Sequence, residues 1–162
     1  MGDSVEVSRD IGASPDAVWD MVSDVTRMGE WSPENDGGEW LKGATGPTAG
    51  SRFRGANHNG RRRWKTTATV TDAEPGRRFS FRVSVGPLTV ADWGYTIEPI
   101  DAGCRVTEWW TDLRPGFFKP IARLATGVAD RAARNRSTMQ TTLENLAEAA
   151  EATAEETETG EG

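Results

Sequence analysis

Glu108 is the residue of this sequence whose surroundings point most directly to chemistry. It lies in the segment from Cys104 to Asp112, where apolar and polar residues alternate as they do in a β-strand with one buried face. The alternation places Glu108 on the same face as Val106, which we expect to point into the protein. A carboxylate on that face costs several kcal/mol if it stays charged and unpaired, so it needs a partner, water or a raised pKa.

Two interpretations of Glu108 stay open. A desolvated carboxylic acid can move protons in a dehydration, an aldol closure or a hydrolysis. Alternatively, Glu108 pairs with an arginine or lies at the hydrated end of its strand, and its role is structural. The flanking residues Trp109 and Trp110 are compatible with both interpretations.

The same two-residue period assigns further side chains to the inner face of a sheet. We expect them to line a pocket and contact a bound molecule, together with a tryptophan from a short helix and an asparagine from a long one. The set is Trp31, Phe53, Asn57, Trp64, Phe79, Phe81, Trp93, Tyr95, Trp110 and Asn135. The Asn57 amide either orients a ligand carbonyl or forms hydrogen bonds with the backbone. Asn135 interrupts an apolar helical stripe and meets either the ligand or a loop.

Three other reactive side chains fit structural roles better. Glu34 lies at an expected entrance to the pocket, either as a second carboxylate of the site or as a solvent-facing group, and we favour the solvent-facing group. His58 falls on the outer face of its strand, and Cys104 fits a small buried apolar residue. Because the chain has one histidine and one cysteine, and the glycine-rich loop 43–50 lacks a Gly-Lys-Ser/Thr ending, we expect neither a metal nor a nucleotide cofactor.

The elements that must position these residues follow from the hydrophobic pattern. A strand over 5–11 precedes a helix that begins after Ser14 and a second short helix that stops at Pro33. Six strands joined by short turns follow; the first begins at Trp40 and the last ends at Asp112, which indicates a meander of antiparallel neighbours. Over 121–146, apolar residues recur at helical spacing, which predicts one long C-terminal helix packed across the sheet.

These elements together predict an α+β fold. A curved antiparallel sheet of about seven strands wraps around the long C-terminal helix, and two short helices follow the first strand. Such a sheet leaves a cavity against the helix, where apolar small molecules bind. We expect residues 1–152 to form a single domain and the acidic residues 153–162 to be a disordered tail.

Charge and hydropathy limit the classes of binding partner and the cellular location that we expect. The formal net charge is −6, and six glutamates follow Ala147 without a basic residue among them, so residues 1–147 are close to neutral. A neutral body offers no overall attraction for nucleic acid or an anionic membrane, and Arg61-Arg62-Arg63 fits a hairpin tip better than a phosphate site. Without a signal-peptide pattern or an apolar run of about 18 residues, we expect a cytoplasmic protein that does not insert into membranes.

Several segments resemble one protein superfamily. The segment 14–19, Ser-Pro-Asp-Ala-Val-Trp, and the order of elements resemble the START/Bet v 1-like superfamily, also called SRPBCC. Within it, the chain is most similar to bacterial proteins of the polyketide cyclase/dehydrase and lipid-transport kind, on the segments 28–34, 50–55, 74–79 and 106–108. The resemblance implies a helix-grip fold. It leaves the activity open, because the superfamily includes cyclases, hydrolases, carriers, receptors and co-chaperones.

The resemblance and the expected pocket favour binding of a small hydrophobic ligand, such as a lipid, a fatty acyl or a polyketide-like molecule. The alternative is a cyclase/dehydratase-type enzyme that uses Glu108 as acid and base. The resemblance to established aromatic-ring cyclases implies an arginine, a tyrosine and hydroxyl groups in the cavity. The sequence does not identify which arginine would take this place, which favours binding. A role in protein interaction is the third hypothesis. We expect the protein to be a monomer or a homodimer.

Overall fold

The computed structural model describes residues 3–160, and their strands form one antiparallel sheet. The sheet order is β1-β7-β6-β5-β4-β3-β2, so neighbours in sequence from β2 to β7 are also neighbours in space, while β1 pairs with β7. The seven-stranded α+β architecture is therefore confirmed. The strands are β1 (Ser4–Ile11), β2 (Asn35–Trp40), β3 (Arg52–Asn59), β4 (Arg62–Glu74), β5 (Arg78–Val85), β6 (Leu88–Ile100) and β7 (Gly103–Asp112).

The helices lie before β2 and after β7. They are α1 (Pro15–Ser23), a 3₁₀ helix (Val25–Glu30), α2 (Lys119–Thr126) and α3 (Arg131–Thr159). Helix α1 begins where the sequence predicts, because the Ser14 hydroxyl accepts a hydrogen bond from the Ala17 N–H at 3.2 Å. None of the helices among residues 3–160 is long and apolar enough to cross a membrane.

The core lies between the inner face of the sheet and the helices α1 and α3. From α3, Met139, Leu143 and Leu146 are each at most 1% exposed. In β7, the residues from Cys104 to Asp112 alternate between buried and more exposed positions, and Glu108 is on the buried side with Val106. The two-residue period therefore assigned the faces of this strand correctly.

The helix expected over 121–146 is two helices. Gly127 adopts a left-handed conformation with φ of 73° and ends α2. The Asp130 carboxylate then caps α3 by accepting a hydrogen bond from the Ala133 N–H at 3.0 Å. Because the chain turns between these two residues, Ile121 and Leu124 are 57% and 78% exposed and do not contribute to the core.

The first strand after the short helices also differs from expectation, because β2 ends at Trp40 and does not begin there. Gly37 and Gly38 weaken the sequence pattern of a strand. The strand needs Gly38 because a Cβ atom there would lie 3.0 Å from the carbonyl oxygen of Val25. The second short helix is the 3₁₀ helix, which ends at Glu30, ahead of Pro33.

Helix α3 continues into the segment expected to be a disordered tail. Residues 153–159 are helical, and their side chains are exposed except that of Ala154, which packs against the core. Alanine and glutamate favour helices, and extending an existing helix adds one hydrogen bond for each residue fixed. Residues 161–162, the end of that expected tail, lie outside the described part of the chain.

Candidate functional site

A cavity of about 280 Å³ lies between the inner face of the sheet and the helices α2 and α3. Strands β3 to β7 supply most of its wall. The residues proposed from the sequence that line it are Trp31, Phe53, Asn57, Trp64, Phe81, Trp93, Tyr95, Glu108, Trp110 and Asn135. Side chains that the two-residue period places on the inner face thus come together at one site from five strands.

Phe79 is the proposed ligand contact that does not line the cavity. It is 0% exposed and belongs to the core, with its ring centroid 5.7 Å from that of Phe81. Helix α1 covers this part of β5, where Trp19 Nε1 donates a hydrogen bond to the Arg78 carbonyl at 2.9 Å. Phe79 therefore faces inward as expected, but at the closed end of the sheet.

Glu108 lies deep in the cavity wall beside Tyr95. The two residues are cross-strand partners on β7 and β6, and the Tyr95 hydroxyl donates a hydrogen bond to Glu108 Oε1 at 3.2 Å. Glu108 is 4% exposed, and its second oxygen, Oε2, has no hydrogen-bond partner within the described residues. No arginine pairs with this carboxyl group among the described residues. In this structure Glu108 is therefore not the ion-pair partner of an arginine.

Burial controls the protonation of this pair. Burial raises the pKa of Glu108 to about 8, and the hydrogen bond from Tyr95 offsets only part of that rise. Burial, followed by the proximity of Glu108, raises the pKa of the Tyr95 hydroxyl well above its usual value. Near neutral pH, most Glu108 side chains are therefore carboxylic acids that can donate a hydrogen bond, and Tyr95 keeps its proton.

A second polar group lies at the side of the cavity formed by β2 and the start of α3. Arg131 Nη1 donates hydrogen bonds to Glu34 Oε2 at 2.8 Å and to Asn135 Oδ1 at 3.4 Å. Both side chains of the ion pair are largely buried, at 14% exposure for Arg131 and 15% for Glu34. The expectation that Glu34 faces solvent is therefore wrong, because Arg131 compensates the cost of burying its charge.

Two atoms of this polar group remain without hydrogen bonds within residues 3–160. Glu34 Oε1 lies 3.4 Å from Arg134 Nε but accepts no hydrogen bond, and Asn135 Nδ2 donates none. Asn135 is 1% exposed and lines the cavity. Buried amide hydrogens are nearly always paired in folded proteins, so Asn135 has capacity to bind an oxygen of a ligand or a water molecule.

Aromatic rings form much of the apolar wall between the two polar groups. The Phe53 and Phe81 rings pack edge to face with centroids 5.1 Å apart, and the Trp93 and Trp110 rings are 6.3 Å apart. Aromatic pairs in such geometries contribute about 0.5–1.5 kcal/mol beyond the area that they bury. These contacts help to hold the rings of the wall in place.

Helix α2 supplies a side of the cavity that the sequence analysis did not find. Phe118, Ala122, Ala125 and Thr126 line the cavity, whereas Ile121 and Leu124 face away from it. Both faces of this short helix carry apolar residues, so periodicity alone did not distinguish the inner face. The available signal was Gly127, which ends the helix.

The remaining reactive side chains lie away from the cavity. His58 Nδ1 is 2.8 Å from Asp36 Oδ1, and His58 does not line the cavity. Cys104 is fully buried on β7, and burial raises the pKa of its thiol. A buried thiol with a raised pKa is a poor nucleophile.

Comparison with protein-family models matches residues 3–151 to the family described as polyketide cyclase / dehydrase and lipid transport. No curated protein matches the chain significantly. Among solved structures, the Polyketide_cyc-like protein Cgl2372 from Corynebacterium glutamicum is 30% identical, with a TM-score of 0.60. The match covers 96% of this chain and 93% of that protein.

Two further structures are similar in fold. Protein CV1439 from Chromobacterium violaceum has a TM-score of 0.70 at 14% identity, over 92% of this chain and 98% of its own. The di-domain ARO/CYC StfQ from the steffimycin biosynthetic pathway has a TM-score of 0.74 at 14% identity, over 95% of this chain and 52% of StfQ. This chain thus corresponds to about half of StfQ. Because the family model matches almost the whole chain, the protein belongs to the polyketide cyclase/dehydrase and lipid transport family.

Proposed function

We propose that the protein binds a small, mostly apolar ligand that carries at least one hydrogen-bonding oxygen, in the cavity between the sheet and the helices α2 and α3. The observation that carries the proposal is the buried Glu108, whose Oε2 has no hydrogen-bond partner within the described residues and which lines an aromatic cavity. A ligand oxygen at Oε2 would satisfy this group, and the apolar body of the ligand would cover the rings.

The free energy of burying apolar groups, and the cost of desolvating a charge, favour such a ligand over a highly charged one. Each CH₂ group that leaves water for the cavity contributes about 0.8 kcal/mol to binding. A negative charge deep in the cavity beside Glu108 would have to be desolvated, and the two arginines that line the cavity already pair with acids, Arg131 with Glu34 and Arg114 with Asp112. The charged end of an anionic amphiphile would instead lie at the mouth, beside the exposed Lys65. A lipid, a fatty acyl or a polyketide-like molecule has the required composition, and membership of the family supports this class.

A cavity-filling variant tests the proposal. Ala68 lines the cavity and is 2% exposed, so Ala68→Phe should occupy part of the volume and weaken binding of 8-anilinonaphthalene-1-sulfonate or decanoate by on the order of tenfold or more. Ala56→Phe is the matched control, because Ala56 lies on the opposite face of the neighbouring strand β3. Isothermal titration calorimetry gives both affinities. Equal weakening in the two variants, or none in either, would refute binding in this cavity.

The second candidate function is acid–base catalysis of a cyclisation or dehydration. The observation that favours it is the pKa of Glu108 at about 8, which lets one carboxyl group donate and accept a proton near neutral pH. In a dehydration, the Glu108 carboxylic acid would protonate the departing hydroxyl group, and the resulting carboxylate would take the proton from the adjacent carbon. Water leaves, and Glu108 ends protonated as it began.

Glu108→Gln distinguishes the two candidate functions. A glutamine keeps a hydrogen-bond donor and acceptor but cannot transfer a proton, so a carrier should keep its affinity within a few-fold. An acid–base enzyme should lose on the order of a hundredfold or more in turnover. Turnover of a genuine substrate that is unchanged in the variant would exclude the catalytic role of Glu108.

We further propose that residues 1–152 act as one domain and that the protein is cytoplasmic and a monomer or a homodimer. The shared core of sheet and helices supports a single folding unit. Light scattering of the purified chain, and one or several unfolding transitions in urea, test the oligomeric state and the number of folding units.

A further inference from the structure

The exposed large apolar side chains of the described chain lie at one end of the molecule. They belong to the end of β5, the segment after β7, and α2, and we call them the apolar rim. The rim consists of Val85, Leu113, Phe117, Ile121 and Leu124, with exposures of 38%, 37%, 67%, 57% and 78%. Contiguous exposed apolar residues in a single protein mark a surface that meets something else.

Basic residues surround the same end. The turn between β3 and β4 packs against α2, because Arg62 Nε donates a hydrogen bond to the Leu124 carbonyl at 3.3 Å and Asn59 Nδ2 donates one to the Thr126 carbonyl at 2.8 Å. This contact brings the basic run of the turn beside the basic residues of α2. We call Arg61, Arg62, Arg63, Lys119 and Arg123 the basic collar.

Part of the collar is not neutralised by acids. Lys119 lies 3.7 Å from the buried Asp112, and Arg63 lies 3.5 Å from Asp36. Arg61 and Arg123 are exposed and have no acid within ion-pairing distance among residues 3–160. Their charges are therefore available to an anionic partner.

The acidic residues of α3 lie toward the opposite end, whereas Asp36, Asp112 and Asp130 lie near the collar. Helix α3 starts at the collar, where Arg134 Nη2 donates a hydrogen bond to Asn59 Oδ1 at 3.0 Å. Its later part reaches the other end of the sheet, where Glu151 Oε1 accepts a hydrogen bond from the Gly12 N–H at 3.0 Å. At 1.5 Å per residue, Glu151 is about 26 Å along the helix from Arg134, beyond the Debye length of about 8 Å at physiological salt. The net charge of −6 therefore does not describe the collar.

We infer that this end of the protein docks on the surface of an anionic lipid bilayer, with the apolar rim at the level of the headgroups and the basic collar against the phosphates. Helix α2 and the residue Phe117 ahead of it have the composition of an interfacial segment, with protruding phenylalanine, isoleucine and leucine side chains beside lysine and arginine. A bilayer accepts protruding side chains without a complementary pocket, which a protein partner would have to provide. The inference concerns docking at the surface and needs no element that spans the membrane.

The position of the cavity connects the docking to ligand binding. This step rests on the proposed function. The cavity opens at the same end, because the exposed residues Lys65, Val85 and Ala125 are among those that line it. The inner face of α2 covers the cavity while its outer face carries part of the rim. A docked protein would therefore present the mouth of its cavity to the bilayer, and the ligand would be a molecule that partitions into membranes.

Vesicle co-sedimentation of the full chain tests the docking. We expect binding to vesicles of phosphatidylcholine with phosphatidylglycerol, weaker binding to phosphatidylcholine alone, and loss of the difference at high salt. The double variant Ile121→Asp/Leu124→Asp and the double variant Arg61→Ser/Arg123→Ser should each lower the partition coefficient by on the order of tenfold or more. Arg9→Ser is the control, because Arg9 is an exposed basic residue on β1, the edge strand remote from β3 and β4.

The outcomes separate docking from ligand binding. None of the four mutated residues of the rim and collar lines the cavity, so calorimetric binding of decanoate in the absence of vesicles should stay within about twofold in every variant. Loss of vesicle binding with retained decanoate binding supports the inference. Absence of vesicle binding by the wild-type chain, or equal binding by all variants, overturns it. Wild-type self-association that the rim variant abolishes would assign the surface to a second copy of this chain and would also overturn it.

Discussion

At the scale of single residues, the carboxyl group of Glu108 is strongly affected by its surroundings. Its hydrogen bond from Tyr95 is the only one within the described residues, and burial raises its pKa from 4.5 to about 8. The folded protein therefore holds a proton on Glu108 at pH values where the unfolded chain has released it. The side chain costs the folded state stability at neutral and higher pH, which is typical of a residue kept for binding or chemistry.

This cost predicts how stability depends on pH. Because the folded pKa of Glu108 is the higher one, its contribution to stability is greatest below about pH 4.5 and is lost progressively as the pH rises to about 8. In Glu108→Gln this loss is absent, so the variant should gain on the order of a few kcal/mol relative to the wild type between pH 4.5 and pH 8. Urea unfolding at several pH values gives the difference.

Other titrating groups do not obscure that difference. Burial of Asp112 would raise its pKa, but hydrogen bonds from Arg114 outweigh burial and hold the pKa below 3.8. Asp112 therefore affects stability only at more acidic pH, where its contribution is lost as the pH falls. A wild-type and a variant profile that run parallel from pH 4.5 to pH 8 would mean that Glu108 is ionised in the folded protein.

At the scale of elements, the break between α2 and α3 determines the shape of the cavity. Gly127 has a φ of 73°, and a Cβ atom there would lie 2.9 Å from Arg62 Nη1. Gly127→Ala should therefore destabilise the fold by about 1–2 kcal/mol, because the left-handed conformation is strained for alanine and Arg62 must move. The control is Gly116→Ala, where a Cβ atom meets nothing within 4 Å.

Urea unfolding followed by circular dichroism measures both glycine variants. We expect Gly116→Ala to stay within about 0.5 kcal/mol of the wild type, as surface substitutions usually do. Equal free energies of unfolding for Gly127→Ala and Gly116→Ala would show that the turn after α2 does not require glycine. In that case the separation of α2 from α3 would need another explanation.

The strands show what the sequence could predict, and α2 shows what it could not. In β7 the period of two placed Glu108 and Trp110 inward, because side chains of a strand alternate between faces. In α2 the inner residue Ala122 and the outer residue Ile121 are both apolar, so the pattern of one short helix could not tell which face would be covered. Which face of α2 is covered depends on where α3 and the β3–β4 turn lie.

At the scale of the whole molecule, contacts distant in sequence build the second polar group. Glu34 and Arg131 are 97 positions apart, and their ion pair exists only because α3 crosses the sheet beside β2. The net charge, likewise, predicted no preference for anionic surfaces, whereas the fold separates basic from acidic residues along α3. Pairings of this kind need the tertiary structure, while composition and periodicity were sufficient for the α+β architecture and most of the cavity wall.

The seven tryptophans of the chain provide the most direct test of the central claim, that the cavity binds an apolar ligand. Trp31, Trp64, Trp93 and Trp110 line the cavity. Trp19 belongs to α1 and donates a hydrogen bond to the Arg78 carbonyl, and Trp109 lies on the outer face against Gly94. Titration of ¹⁵N-labelled protein with decanoate, followed by the indole N–H signals in ¹H–¹⁵N spectra, distinguishes the two groups. We expect the four lining tryptophans to shift with one common saturation curve while Trp19 and Trp109 stay in place. Shifts confined to Trp19 and Trp109, or no shift of any indole signal at millimolar decanoate, would contradict the account.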